Sequence, residues 1–245
     1  MHTFVIISGP SCIGKTPLRR ALERHDPELS GKLKRPVFYT SRSPRPGEKE
    51  GADYRFRPRT VLERMRGKKG TLVFDVRGDL HALDEQELSD ALKFSDALFE
   101  GSPFVAKPLL AHPALSGIEK VSVFLSPVTR EELLAFRTLH GKAAVPGLIA
   151  EMVRKKLLRR TQRQKGILSL PDLLDIEKRA KSAYRELKEA HLFDHVLPNH
   201  DGEDSENWDA FPAPIGDARR TLLALVDILK GVKPACSEKW EKRLL

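Results

Sequence analysis

Apolar residues follow two rhythms along this chain of 245 residues, and each rhythm predicts a different element. Near-continuous runs read as buried strands: Phe4-Val5-Ile6-Ile7 predicts a strand over 3–8, and Val121-Ser122-Val123-Phe124-Leu125 predicts another. Shorter strand-like pieces fall at 71–76, 97–99 and 193–197. Spacing by three and four reads as helix instead. Leu18, Ala21 and Leu22, with Arg19, Arg20, Glu23 and Arg24 outside them, predict a helix over 15–25, and similar patterns cover 60–66, 84–92, 129–136, 147–165 and 171–190. Thr129 and Glu132 have the spacing of a capping box. A last helix over 217–230 presents Leu222, Leu225, Val226 and Leu229 to a core. Strands recurring between helices imply an α/β fold with a parallel sheet covered on both faces. Two stretches break the pattern: a basic segment over 32–59 that reads as irregular, and 198–216, whose Asp, Glu, Asn, Gly and Pro predict an exposed connection.

The first strand runs directly into Gly9-Pro10-Ser11-Cys12-Ile13-Gly14-Lys15-Thr16, a complete G-x-x-x-x-G-K-[ST] phosphate loop. A strand, a glycine-rich turn and a helix start leave several backbone N–H groups aimed at one concavity, where the helix dipole also favours negative charge. Gly9 and Gly14 permit the backbone angles, Lys15 reaches the outer phosphates of a nucleotide, and the Thr16 hydroxyl suits Mg²⁺. A phosphorylated ligand, a nucleotide with Mg²⁺, is what this loop predicts. Pro17 is tolerated in the first helical turn, where its missing N–H has no intrahelical partner to lose.

Composition narrows the class without choosing a reaction. The length suits one α/β domain with appendages or two small ones. No apolar stretch approaches the roughly 20 residues a bilayer requires, and Met1-His2-Thr3 leads straight into a strand, so a cytoplasmic location is expected. Cys12 and Cys236 are too few for a disulfide framework, and Cys12 inside the loop reads as a neutral filler. A net charge of +9 points to anionic partners. The densest basic run, residues 154–165, has no interleaved aromatics for base stacking, which argues against nucleic acid.

A second segment adds specificity. Tyr39-Thr40-Ser41-Arg42-Ser43-Pro44-Arg45-Pro46-Gly47-Glu48-Lys49-Glu50-Gly51-Ala52-Asp53-Tyr54-Arg55-Phe56 includes Arg42, Arg45 and Tyr54, and two guanidinium forks with a phenol are able to saturate phosphate oxygens in a fixed orientation. With the phosphate loop before it, this segment resembles the guanylate kinase family. Weaker likeness at residues 123–133 and 193–201 extends the resemblance over most of residues 3–201. The resemblance implies a P-loop NTPase fold, a parallel sheet flanked by helices, with a small acceptor-binding subdomain and a helical lid. It divides the chain into a core of 1–34, 97–136 and 166–199, an acceptor subdomain of 35–96, a lid of 137–165, and an extension of 200–245 with a docking helix. By matching positions, Arg42, Arg45 and Tyr54 are implied to clamp the phosphate of the acceptor nucleotide GMP. Asp75 and Glu100 are implied as further acceptor-side carboxylates, either of which could orient Mg²⁺ water or the acceptor hydroxyl or equally be an ordinary surface carboxylate. Lys15, Arg42, Arg137 and Arg159 are implied as catalytic, although the arginines of 137–163 do not align singly.

The departures from the family pattern concern the acceptor base. Phe38 stands where a small hydroxyl residue helps read guanine, and Asp79-Leu80-His81-Ala82 replaces a tyrosine-glycine-serine stretch. Leu98-Phe99-Glu100-Gly101 keeps one carboxylate of an acidic strand end. The leading expectation is an ATP- and Mg²⁺-dependent phosphotransferase acting on a nucleoside monophosphate, GMP favoured, or another small phosphorylated acceptor. A ribose bisphosphate kinase-like enzyme and a non-catalytic guanylate-kinase-like binding module are the alternatives.

Overall fold

A computed structural model describes residues 2–45 and 47–245; Met1 and Pro46, the latter part of the arginine segment, lie outside the described residues. The chain divides into two compact units. The strands β1 (Thr3–Ser8), β2 (Leu33–Lys34), β7 (Asp96–Gly101), β8 (Glu119–Ser126) and β9 (His195–Pro198) form one sheet in the order β2-β7-β1-β8-β9. The β2–β7 and β8–β9 pairs are parallel, with Leu33 opposite Asp96 and Val123 opposite His195. Helices alternate with these strands, giving the expected α/β architecture.

The first unit comprises 1–6, 31–99 and 104–120. It holds a second sheet of four strands in the order β4-β3-β6-β5, from β3 (Phe38–Thr40), β4 (Tyr54–Phe56), β5 (Thr71–Val76) and β6 (Asp79–Asp84). β5 and β6 are an antiparallel hairpin turning at Arg77 and Gly78, both at positive φ. That conformation matches the twist of a hairpin. One face of this sheet packs Leu80 and Ala82 on Leu62 of helix α3 (Arg59–Met65). Helices α4 (Glu85–Phe94), capped by the Asp84 carboxylate, and α5 (Pro103–Ala111) complete the unit.

The second unit comprises 7–30, 100–103 and 121–245. It carries the loop 9–16, helices α1 (Lys15–His25) and α2 (Pro27–Gly31, whose last residue falls in the first unit), and the long pair α7 (Val145–Lys165) and α8 (Leu170–Leu187), packed along each other. Helix α6 (Arg130–His140) begins with the expected capping box of Thr129 and Glu132. Phe124 and Phe193 meet edge to face at 5.2 Å in its core, and α9 (Gly216–Leu229) packs on α1. No helix among the described residues is long and apolar enough to cross a membrane.

Four differences from the pattern reading have physical causes. The segment 32–59 contains β2, β3 and β4, strands of two or three residues that are too short to show a period. β6 and α5 were not anticipated: β6 alternates weakly and is held by its partners, and α5 contains Pro108. In α9 Leu222 and Leu225 are buried as expected, but Ile228 joins them while Val226 and Leu229 are only half-buried. The connection 198–216 is not an exposed strap: Asn199 and Trp208 are 0% and 1% exposed. Asn199, Asp201 and Ser205 make hydrogen bonds within the protein, while Glu206, Asp209 and Phe211 stay exposed.

Candidate active site

The phosphate loop is shaped by what presses on it. A Cβ on Gly9, at φ 143°, would collide with the Leu125 carbonyl oxygen. One on Gly14, at φ 95°, would sit 2.7 Å from Asn199 Nδ2 and 2.8 Å from the Asp201 carbonyl oxygen. Only glycine permits both the angle and the approach. Residues 199–208 close around the far side. Asn199 Nδ2 donates to the Ile13 carbonyl at 2.7 Å, the Glu203 amide donates to the Cys12 carbonyl, and Trp208 Nε1 donates to the Asp201 carbonyl at 2.8 Å. The Asp201 carboxylate in turn accepts from Ser205 Oγ at 2.8 Å, Asn207 Nδ2 at 2.9 Å and the Ala218 amide at 2.9 Å, tying the segment to α9. Sequence reading missed this brace because nothing in its composition separates a satisfied polar network from a solvated loop.

Within the loop, Lys15 Nζ donates to the Gly9 and Pro10 carbonyls at 2.9 and 2.6 Å. Thr16 Oγ1 donates to Glu100 Oε1 at 2.5 Å, and Arg19 Nε donates to Glu100 Oε2 at 3.0 Å. Glu100, expected on the acceptor side, thus stands beside the Thr16 hydroxyl. Pro10, Ser11, Cys12 and Ile13 form the turn, Cys12 at φ 62°. Burial first, and the nearby Glu203 carboxylate second, push the Cys12 thiol up to about 12, so it is neutral and inert as the sequence suggested.

Helix α7 brings cations to the same region. Arg160 Nη1 donates to Glu203 Oε2 at 2.8 Å. Burial opposes the Glu203 charge, but Arg160 and Lys15 outweigh it and hold this carboxyl below its usual range. Arg159, expected to be catalytic, is 72% exposed and comes no nearer to an acid than 3.9 Å from Asp204. Helical phase explains the difference: Arg160 follows the buried Val153 and Leu157 on one face, and Arg159 lies a hundred degrees away. Arg137 Nη1 donates to the Leu244 carbonyl at 3.0 Å, which makes it an anchor of the C-terminal turn.

The residues expected to hold an acceptor lie in the first unit. Arg42 donates to both oxygens of Glu48, at 2.6 and 2.5 Å, and its guanidinium lies 4.8 Å from the centre of the Tyr54 ring. The Arg45 amide donates to Glu48 at 2.8 Å. Burial opposes the charge on Glu48, yet the Arg42 hydrogen bonds keep its carboxyl below the usual range. Phe38 is 4% exposed and packs its ring 5.1 Å from that of Phe99, so it fills core. Asp75 is a correction. It pairs with Leu80, which places it on the α3 face of the sheet, and its carboxylate accepts from the Gly78 amide at 2.9 Å. Tyr54 and His81 belong to the opposite face, because Tyr54 pairs with Phe38, and Thr40 two residues on pairs with His81. The alternation of side chains along β5 removes Asp75 from the clamp.

Residues 9–16 and 42–54 both lie within a stretch that matches a known family. The family model described as Guanylate kinase matches residues 1–74. The human protein named guanylate kinase is 30% identical over 220 residues, covering 89% of this chain and 96% of its own. The Nocardia farcinica guanylate kinase is 31% identical over 154 residues, 60% of this chain and 73% of that protein. The crystal structure of guanylate kinase from Anaplasma phagocytophilum superposes with a TM-score of 0.55 at 18% identity, covering 96% of this chain and 88% of that one.

Proposed function

The chain belongs to the guanylate kinase family, and on that premise we propose that it transfers the γ-phosphate of ATP to GMP. The observation that supports this reading most is the complete loop 9–16, where Gly9 and Gly14 admit neighbours too close for a Cβ and residues 199–208 bond the loop carbonyls. A binding module without catalysis has no use for Lys15 and Thr16. Phosphoryl transfer depends on positioning and charge neutralisation more than on covalent chemistry. In this reading Lys15 and the loop amides hold the donor phosphates, and Arg160 supplies positive charge from α7. Arg42, Arg45 and Tyr54 hold the acceptor phosphate, and Glu48 keeps Arg42 oriented until it arrives.

The oxygen pair of Thr16 and Glu100 fits Mg²⁺, a hard cation that takes one or two protein oxygens and fills its remaining positions with phosphate and water. Bound there, Mg²⁺ would neutralise phosphate charge. Among the described residues no cluster of three His, Cys, Asp or Glu offers a competing metal cage. We assign residues 35–96 to the acceptor and the α6–α7 region, 137–165, to the lid, and expect the reaction in the cytoplasm. A coupled assay of ADP release over a panel of nucleoside monophosphates and sugar phosphates tests the proposal. GMP-dependent release supports it, and release without acceptor preference overturns it.

A further inference from the structure

His81 is a largely buried titratable side chain of the four-stranded sheet that the proposed reaction leaves unused. It lies on β6 between Thr40 and Phe74 on the flanking strands, on the same face as Tyr54, whose ring it meets edge-on at 5.6 Å. The residue is 9% exposed, and neither ring nitrogen has a hydrogen-bond partner among the described residues. The charged groups around it are all cationic: Arg42 and Arg45 from the β3–β4 loop, and Arg77 from the β5–β6 turn. The nearby carboxylate of that loop, Glu48, is committed to Arg42 and to the Arg45 amide. Thr40 and Phe74 contribute no charge. A covered imidazole with unused nitrogens, set among three arginines and a phenol, is a poor packing residue and a good phosphate ligand.

We propose that His81 is a fourth ligand of the acceptor phosphate and takes up a proton when that dianion binds. The inference rests on the acceptor role assigned above to Arg42, Arg45 and Tyr54. Burial first, and the three arginines second, hold the empty imidazole down at about 3, so it is neutral at physiological pH. A phosphate dianion entering this cluster cancels the arginine field and offers oxygens to a donor. Both effects favour the imidazolium. The proton comes from the buffer and goes to the unprotonated ring nitrogen; no bond to phosphorus changes. Because the bound state then holds more protons than the empty state, acceptor affinity must weaken as pH rises through the bound-state value.

The test is calorimetric titration of GMP, and separately of inorganic phosphate, without ATP, into the wild type and His81→Gln. Each titration is run at pH 6.0 and 7.5 in two buffers of different ionisation enthalpy, which yields the protons taken up per ligand bound. Protonation of the ligands themselves cancels in the comparison. The wild type should take up more protons than the variant, the difference growing toward one at pH 6.0, and should bind phosphate about 10–100-fold more tightly there. Equal proton uptake in the two proteins overturns the proposal. His81→Asn serves as the second variant should the glutamine fail to fold. Inorganic phosphate separates this inference from the kinase reading: proton-linked phosphate binding without GMP turnover sinks the reaction and leaves His81 standing, and GMP turnover with equal uptake does the reverse.

Discussion

In the proposed reaction the groups offered to an anion around residues 9–16 belong to the backbone, whereas around residues 42–54 they belong to side chains, and each choice leaves its own trace. The loop is fixed by neighbours that allow no alternative: Leu125 behind Gly9, and Asn199 and Asp201 behind Gly14. The arginine clamp is held instead by an internal stand-in, since Glu48 gives Arg42 the same two-pronged contact that a phosphate would. A backbone site stores its specificity in conformation, and a side-chain site stores it in charge that must exchange partners.

Lys15→Ala strikes the backbone half where its one charged side chain acts, and turnover should fall about 10²–10³-fold, measured as kcat, as expected for a preorganised electrostatic group. Trp208→Ala tests whether the loop needs its brace. Removing a large side chain that is 1% exposed should destabilise by roughly 3–5 kcal/mol in urea unfolding. ATP binding should weaken with it while the Arg42 clamp keeps its phosphate affinity; unaltered ATP binding would show that the loop holds its shape alone. Arg42→Lys keeps the charge but loses the fork, and should raise the KM for GMP by about tenfold or more with little change in that for ATP.

The smallest effect is a pH dependence of the brace. Burial lowers the proton affinity of His200, but hydrogen bonds to Asp217 at 2.5 Å and Glu132 at 3.0 Å outweigh it and raise its pKa. Its stabilisation is therefore complete below about pH 6.5, the unperturbed value, and is lost as pH rises through the raised one. His200 is 43% exposed, so the effect should be limited to about 3 °C or less in Tm between pH 6 and 8, and absent in His200→Gln. Glu203 and Asp201, both held below the usual carboxylate range despite burial, act in the opposite direction and lose their contribution as pH falls.

The same contrast explains what could be read from the chain. The β1 strand, α1 and the loop between them follow from contiguous residues, because a backbone site needs a fixed order of glycines, lysine and threonine. Arg42, Arg45 and Tyr54 were legible as residue types with the right spacing. Asp75 was misplaced because strand alternation, set by pairing with β6, decides which face a side chain takes. β6 itself left a signal, Arg77-Gly78 between alternating apolar residues, which is a hairpin turn signature. The brace left little: Asn199 and Glu203 bond Ile13 and Cys12, almost two hundred positions earlier, Asp201 and Trp208 bond within the segment, and Asp, Asn and Glu look the same whether they face water or a carbonyl.

Separate calorimetric titrations of ATP and GMP into the wild type, Lys15→Ala and Arg42→Ala test most directly whether donor and acceptor phosphates are held by these two different constructions. Lys15→Ala should lose about tenfold or more in ATP affinity and keep GMP within about twofold, and Arg42→Ala should do the converse. Either variant losing both ligands to the same extent would contradict the account.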